Sequence, residues 1–205
     1  MSPDSDKNRS GLGQTIPLFR VVAFCSLGLS GFLADIGTKA FVFDRYFLPF
    51  QAPIKHWWIT GVLGIETTTN PGALFGMFPG YRWLFAALSL FALISIITWL
   101  FVFGGARDRW LNLSLGLVAG GILGNLYDRM GFGFRASYPS EIRFRVRDWI
   151  YFRLEGVPWF DPWPNFNIAD SLLVCGALLL VMHSIFGSSG RHKDYESKAL
   201  APKIE

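Results

Sequence analysis

The chain has 205 residues, of which 51% are hydrophobic and 17% are aromatic, and its mean hydropathy is +0.34. A soluble domain of this length is seldom so apolar, so the composition argues against a soluble enzyme and favours an integral membrane protein. The net charge is +4 and no basic motif is interleaved with aromatic residues, so we expect no nucleic-acid partner.

Segments free of Asp, Glu, Lys and Arg predict four transmembrane helices, since a span needs about 20 apolar residues. The first covers residues 21–34 and resumes past Asp35 as far as Phe43, with Arg20 able to snorkel at its start. A cleaved signal peptide is the alternative for this segment, but no small-residue cleavage site follows it, and we favour a retained helix. The other three uncharged segments cover residues 83–106, 110–127 and 171–190.

The segments between and beyond the helices differ in character. Residues 1–16 and those from 188 onward are polar and are predicted to be disordered tails, which leaves residues 17–187 as a single membrane-embedded domain. Residues 44–81 are rich in aromatic residues, threonine and proline, and predict a small β-rich element at the membrane surface. Residues 131–166 are longer than a simple connection requires, so we expect structure or a function there.

The charges next to the helices predict the topology. Lys and Arg in the two tails and in the turn at 104–109 place both termini and that turn in the cytoplasm, because basic residues flank helices on that side. Four antiparallel helices then bring their other ends together on the outer side. The polar residues expected at that outer end are Asp35, Lys39, Asn70, Asn125, Asp128, Arg129, Asp148, Asn167 and Asp170. The sequence therefore predicts a site that opens outward.

Metal chemistry has little support in the sequence. Cys25 and Cys175 fall inside predicted spans, where we expect buried, small apolar side chains. His56, His183 and His192 are scattered and form no ligand pattern, so we expect neither a metal nor a cofactor.

Asp148 and Asp170 each admit an ordinary structural role. Asp170 and Asn167 suit the N-terminus of the last helix, and Asp148 can pair with Arg147 or Arg145. Both aspartates nevertheless adjoin aromatic segments expected at the level of the membrane surface, and both are predicted on the same, outer side of the membrane. Two close carboxylates share a proton, so that one can act as a base toward water while the other polarises a carbonyl group.

Five ordered motifs carry a family resemblance. They are DIGTK at 35–39, NPGALFG at 70–76, GGILGNLYDR at 120–129, VRDWI at 146–150 and FNIADS at 166–171. With these motifs in this order, the chain resembles the lipoprotein signal peptidases, also called signal peptidase II, over residues 18 to 187. The resemblance implies four transmembrane helices with a small extracytoplasmic β-rich element between the first two.

The same resemblance implies roles for particular residues. Asp148 and Asp170 correspond to the catalytic pair, and Asp128 to a supporting residue. The other positions implied to bind substrate or brace the site are Asp35, Lys39, Asn70, Gly72, Asn125, Arg129 and Asn167. For Asp35 and Lys39, pairing along one helix at i and i+4 is an equal alternative.

By resemblance, the protein is a monomeric aspartyl endopeptidase of the bacterial cytoplasmic membrane, in contact with membrane lipid. It would cleave prolipoproteins before the diacylglyceryl-modified cysteine, with one water activated by general acid–base catalysis and no metal or cofactor. Asp148 lies 20 positions after Asp128, which indicates an insertion of about ten residues relative to the family pattern. Such an insertion is permitted because long surface loops cost little stability. Trp149 and Pro71 also depart from the family pattern, and Asp161 is the alternative partner for Asp170.

Three other functions remain open at this point. Intramembrane carboxylates also mark transporters and proton relays, although relays space such groups through the membrane. Ser171 and Lys39 could form a Ser/Lys peptidase pair. An inactive scaffold of the same fold could bind lipidated chains without cutting them.

Overall fold

The structure is a computed structural model that describes residues 15–72, 78, 80–135 and 138–199, with side chains described as far as Phe186. Its helices are α1 (Leu18–Tyr46), α2 (Arg82–Ile97), α3 (Arg109–Arg129), the short α4 (Ser140–Arg143) and α5 (Ile168–Ala199). A π-helical turn, Thr98–Val102, continues α2, and a 3-10 turn, Gly105–Arg107, leads into α3.

The four predicted membrane helices are confirmed. The segments long and apolar enough to cross a membrane are Leu18–Tyr46, Arg82–Val102, Arg109–Arg129 and Ile168–Phe186. The backbone of α5 continues as helix to Ala199, so the prediction of disorder from residue 188 is wrong for residues 188–199. The predicted N-terminal tail lies outside the described residues, apart from its last two positions.

Helix α3 lies at the centre of the bundle, between α1 and α5. A Cβ atom on Gly120 would lie 2.9 Å from the carbonyl oxygen of Gly28, so the backbones of α1 and α3 approach more closely than alanine would permit. Gly121 likewise meets the carbonyl oxygen of Ala169 and the side chain of Leu173 on α5. Small residues thus set the helix spacing, which is how membrane helices associate without a hydrophobic driving force.

Large apolar side chains cover the outer surface of the bundle, as expected for helices in lipid. On α2 the exposed ones include Trp83, Leu84, Leu88, Leu90, Phe91 and Ile94. Cys25 and Cys175 are also exposed, so the expectation that both are buried is wrong. A cysteine among apolar residues does not reveal which face of a membrane helix it occupies, because both faces are apolar.

A four-stranded antiparallel sheet packs against one end of the bundle, which we call the sheet end. Its strands are β1 (His56–Ile59), β2 (Leu63–Asn70), β3 (Val146–Phe152) and β4 (Trp163–Phe166), in the spatial order β1-β2-β3-β4. The β-rich element predicted between α1 and α2 is confirmed in β1 and β2. The two other strands come from the connection between α3 and α5, where the sequence predicted no strands.

The sheet is joined to the helices by a buried cluster of Val42, Phe43, Ile65 and Trp149. The described residues 131–135 and 138–145 lie in the expected insertion, and residues of this segment pack on the end of α1. There the ring of Phe134 contacts Phe43 and Phe47, with centroids 5.6 and 5.5 Å away. Because α1, β2 and β3 meet in this cluster, the position of Asp148 on β3 is fixed relative to the bundle.

Candidate active site

Asp148 and Asp170 reach the same cavity from different elements. Asp148 is the third residue of β3, where it lies opposite Thr68 of β2, and Asp170 lies in the first turn of α5. Both line a cavity of 530 Å³ at the sheet end, together with Asn70, Asn125 and Arg129. The structure therefore brings together the residues that the resemblance implied to be the catalytic pair.

Asp148 is almost completely buried, with 4% of its surface exposed. Burial, followed by the negative charge of nearby Asp170, raises the pKa of Asp148 to about 8. Lys39 and hydrogen bonds from Asn167 and Asn70 act in the opposite direction and do not cancel this rise. Nδ2 of Asn167 donates to Oδ1 of Asp148 at 2.7 Å. At neutral pH, Asp148 is a neutral carboxylic acid.

Asp170 is partly exposed and accepts two N–H groups. Nδ2 of Asn125 donates to its Oδ1 at 2.8 Å, and the backbone N–H of Asn167 donates to its Oδ2 at 3.1 Å. In return, Oδ1 of Asn167 accepts the backbone N–H of Asp170 at 2.9 Å. This reciprocal pair is a capping box at the start of α5, where the helix dipole favours an acidic side chain. Capping and membership of the aspartate pair are therefore compatible roles for Asp170.

Asn167 is the direct link between the two aspartates, because its side chain contacts Asp148 and caps the turn that holds Asp170. Its Nδ2 also lies 3.2 Å from Oδ1 of Asn125, which in turn accepts Nζ of Lys39 at 3.1 Å. Asn167 is completely buried. The amides thus fix the orientation of both carboxyl groups.

Behind the cavity lies a set of four buried charged residues, Asp35, Lys39, Asp128 and Arg147, which we call the buried ion cluster. Nζ of Lys39 lies 2.6 Å from Oδ2 of Asp35 and 3.1 Å from Oδ2 of Asp128. Arg147 forms an ion pair with Asp128: its Nε donates to Oδ1 at 2.9 Å, and its Nη2 lies 2.8 Å from the same oxygen. Two cations and two anions balance, as burial of charge requires.

The buried ion cluster also holds the backbone beside each aspartate of the pair. Oδ1 of Asp35 accepts the N–H of Ala169 at 2.8 Å, next to Asp170. Oδ2 of Asp128 accepts the N–H of Arg147 at 3.0 Å, next to Asp148. The predicted i, i+4 pairing of Asp35 and Lys39 is present, but it is one part of this larger arrangement.

A turn at Asn70 closes another side of the cavity. Oδ1 of Asn70 accepts the N–H of Gly72 at 3.0 Å, and the carbonyl oxygen of Gly72 accepts a guanidinium N–H of Arg129 at 3.2 Å. Because Asn70 also bonds to Asp148, the turn and β3 are connected. Asn70 and Arg129 line the cavity, and Gly72 is bonded to both of them.

Other contacts hold the residues of the alternative pairs. Asp161 bonds to Nε of Arg153 at 2.5 Å and to the N–H of Gly156, in the loop between β3 and β4. Ser171 lines the cavity, but its hydroxyl donates to the carbonyl oxygen of Asn167 at 3.0 Å, whereas Lys39 belongs to the buried ion cluster. Asp161 therefore does not line the cavity, and Ser171 and Lys39 bond to different partners.

Sequence reasoning missed two residues. Arg147 or Arg145 was the alternative partner for Asp148, but Arg147 bonds to Asp128. Side chains alternate along a strand, so Arg147 and Asp148 point to opposite faces, and this alternation was the available signal. His183 lies at the other end of the bundle, where its Nε2 is 2.7 Å from Oδ2 of Asp108. Oδ1 of Asp108 caps α3 by accepting the N–H groups of Trp110 and Leu111.

Among the described residues, no group of three or more His, Cys, Asp or Glu is placed to hold a metal ion.

Comparison with known proteins identifies the family. The model of the signal peptidase (SPase) II family matches residues 27–186. The chain belongs to the signal peptidase II family. The lipoprotein signal peptidase of Rhodopirellula baltica is 42% identical over 188 residues, which cover 92% of this chain and 82% of that protein. That of Halothermothrix orenii is 32% identical over 151 residues, covering 74% of this chain and 87% of its relative.

Solved structures agree on the fold. A bacterial membrane enzyme solved at 2.3 Å has a TM-score of 0.66 and 20% identity, and the match covers 94% of this chain and 98% of that one. Membership of the signal peptidase II family confirms the predicted family and makes the chain an aspartic peptidase. The transporter, proton-relay and inactive-scaffold alternatives receive no support.

Proposed function

We propose that this signal peptidase II removes signal peptides from prolipoproteins, cutting before the diacylglyceryl-modified cysteine, with Asp148 and Asp170 as the catalytic residues. The observation that carries the proposal is that these two carboxyl groups line one cavity in different environments. Asp148 is a buried acid with a pKa of about 8, and Asp170 is partly exposed and accepts two N–H donors. Asp148 can thus act as the proton donor and Asp170 as the proton acceptor.

In the first step, a water between the two carboxyl groups attacks the scissile carbonyl carbon. The Asp170 carboxylate takes a proton from the water, while Asp148 donates its proton to the carbonyl oxygen. The product is a neutral tetrahedral diol, with Asp170 protonated and Asp148 ionised. The negative charge has moved from one aspartate to the other, and the cavity has gained no net charge.

In the second step, the diol collapses and the C–N bond breaks. Asp170 gives its proton to the leaving nitrogen, and Asp148 recovers a proton from a diol hydroxyl as the carbonyl group re-forms. Both aspartates return to their starting states without a covalent intermediate. Asn125 and Asn167 hold the two carboxyl groups throughout, so little reorganisation is needed during the reaction.

The shape of the cavity suits a lipid-modified peptide. Ile122, Leu173 and Val174 form an apolar wall between α3 and α5, which can accept acyl chains or a signal helix at membrane depth. On the other side the cavity is lined by Trp163–Phe166, the strand β4. A substrate segment leaving the membrane would therefore pass along the sheet with its scissile bond beside the two aspartates.

The orientation in the membrane follows from the flanking charges. Arg107 and Arg109 lie at the turn between α2 and α3, opposite the sheet end, and basic residues flank helices on the cytoplasmic side. The sheet end and the active site would then face outward, and both termini would be cytoplasmic. We expect a monomer, because one chain supplies both aspartates.

The decisive experiment is cleavage of a diacylglyceryl-modified prolipoprotein by the purified protein in detergent. Wild type should cut before the lipidated cysteine, whereas Asp148→Asn and Asp170→Asn should lose activity by about 10³-fold or more, because each removes an acid–base group. Asp161→Asn is the matched control, since Asp161 lies outside the cavity, and it should cut normally. Ser171→Ala should also cut normally.

Different failures have different meanings. If Asp148→Asn cuts at the wild-type rate, Asp148 is not catalytic and the proposed pair is wrong. If wild type binds the lipidated substrate and an unlipidated peptide equally and cuts both, the lipid-modified cysteine is not what the cavity selects.

A further inference from the structure

Two arginines that are distant in the sequence share one aromatic ring at the sheet end. The guanidinium carbon of Arg82 lies 3.9 Å from the centroid of the Phe144 ring, and that of Arg143 lies 4.9 Å from the same centroid. Arg82 is the first residue of α2, whereas Arg143 and Phe144 belong to the long connection after α3. The fold therefore brings two cations to one aromatic ring; we call them the arginine pair.

The arginine pair has no carboxylate partner among the described residues. Arg135, Arg147 and Arg153, by contrast, each form an ion pair with an aspartate. Glu141, the acidic residue nearest in sequence to Arg143, is exposed and forms no ion pair in the described part of the chain. Two neighbouring like charges repel each other, so an anion that contacts both would be bound favourably.

The position of the arginine pair along α2 indicates what kind of anion can reach it. Tyr81 and Trp83 flank Arg82, and each is 59% exposed. Tyrosine and tryptophan at the ends of membrane helices lie at the level of the lipid headgroups. One turn further along, Leu84 and Leu88 are exposed on a helix that is apolar enough to span the bilayer. The arginine pair therefore lies where lipid phosphates lie.

We propose that Arg82 and Arg143 bind the phosphate of an anionic phospholipid, whose acyl chains lie along the exposed apolar face of α2. Guanidinium groups match phosphate oxygens in geometry and charge, and stacking on Phe144 orients them. Neither arginine lines the catalytic cavity. The diacylglyceryl group of the proposed substrate carries no phosphate, so the bound lipid is a separate molecule.

The test is lipid binding by the full-length protein, measured by native mass spectrometry in detergent with added phosphatidylglycerol. Arg82→Gln and Arg143→Gln are compared with wild type and with Arg45→Gln. Arg45 is the matched control because it lies in the last turn of α1 at the same end. Its guanidinium carbon is 5.8 Å from the ring centroid of Tyr46, and no other arginine of the described chain lies on that ring. Circular dichroism and size-exclusion chromatography verify that each variant is folded.

We expect each single variant of the arginine pair to bind phosphatidylglycerol about fivefold more weakly and the double variant about 30-fold more weakly, as about 1 kcal/mol per arginine implies. Arg45→Gln should change the affinity less than twofold. Arg82→Lys, which keeps the charge, should lose less than Arg82→Gln.

Three results would overturn the proposal. An effect of Arg45→Gln as large as that of Arg82→Gln would mean general surface attraction and no specific site. Equal binding of phosphatidylcholine would contradict a requirement for net negative charge. Displacement of the lipid by millimolar inorganic phosphate would show a site for free anions in place of a lipid headgroup.

Discussion

The buried ion cluster and the catalytic pair lie side by side, and each contains two aspartates, but their carboxyl groups have different partners. In the cluster, Asp35 and Asp128 are completely buried and both contact Lys39. In the pair, the hydrogen-bond donors that hold Asp148 and Asp170 are amide groups, and both residues line a cavity.

This difference explains why neighbouring aspartates of one protein have different tasks. A buried carboxylate bonded to a cation is held in place, so it can anchor a backbone N–H group. A carboxyl group held by amides can be oriented in either protonation state. We therefore propose that the pair transfers protons and that the cluster supplies rigidity.

Removal of one charge from the cluster tests the different roles of the two groups of aspartates most directly. Asp128→Asn leaves Lys39 and Arg147 with Asp35 as the remaining anion, and breaking a buried ion pair costs about 3–5 kcal/mol. We expect the free energy of unfolding in detergent to fall by this amount. Asp148→Asn is the control, because it replaces an already neutral acid, and its stability should not fall. Equal losses in the two variants would contradict the assignment of roles.

A smaller effect is expected for the residue that links the two aspartates. Asn167→Ala removes the bond to Asp148 and the cap beside Asp170, and misplacement of catalytic groups by about 1 Å costs roughly 100-fold in rate. We expect this loss in kcat, with little change in KM. Asn112→Ala is the control, since Asn112 is equally buried but bonds to the carbonyl oxygen of Arg20 at the other end of the bundle. It should lower stability and leave kcat intact; a comparable loss of kcat there would mean that both effects come from unfolding.

The pH dependence of activity and stability tests the role of Asp148 as the acid. Asp148 must be protonated to donate, so kcat/KM should fall as the pH rises through about 8, approaching tenfold per unit above it. The folded-state pKa of Asp148 is raised, so its contribution to the free energy of unfolding is complete below its ordinary pKa near 4. This contribution is lost progressively as the pH rises from there through 8. The hydrogen bond from Asn70 lowers this pKa, so Asn70→Ser should move the alkaline limb upward. A profile that stays flat from pH 7 to 9.5 would show that Asp148 is not the acid.

The smallest effect is expected at the far end of the bundle, where an ion pair is open to solvent. His183 and Asp108 are 28% and 41% exposed, and such pairs contribute about 1 kcal/mol or less. Burial alone would raise the pKa of Asp108, but the N–H groups of Leu111 and Trp110 and the neighbouring His183 lower it. We expect His183→Gln to lower the free energy of unfolding by less than 1 kcal/mol in thermal melts, without changing peptidase activity. A loss comparable to that of Asp128→Asn would show that exposure does not separate the two kinds of ion pair.

The membrane helices and the shared end of their polar residues could be predicted from the sequence, because apolar length and charge are local properties. The sheet could be predicted only in part. Strands β2 and β3 pair although Thr68 and Asp148 are 80 positions apart, and no local pattern shows such a pairing. The alternation along VRDWI was visible, yet the partner of Arg147 became clear only when α3 was placed beside β3.

The bond between Asp35 and the N–H of Ala169 has a consequence for the synthesis of the protein. Asp35 belongs to the first helix to enter the membrane, and Ala169 belongs to the start of the last. A chain whose synthesis stops before the last helix lacks both the group that Asp35 anchors and one of the two aspartates. If Asp170 is catalytic, as we propose, the peptidase is inert during its own insertion and becomes competent to cut only when α5 is in place.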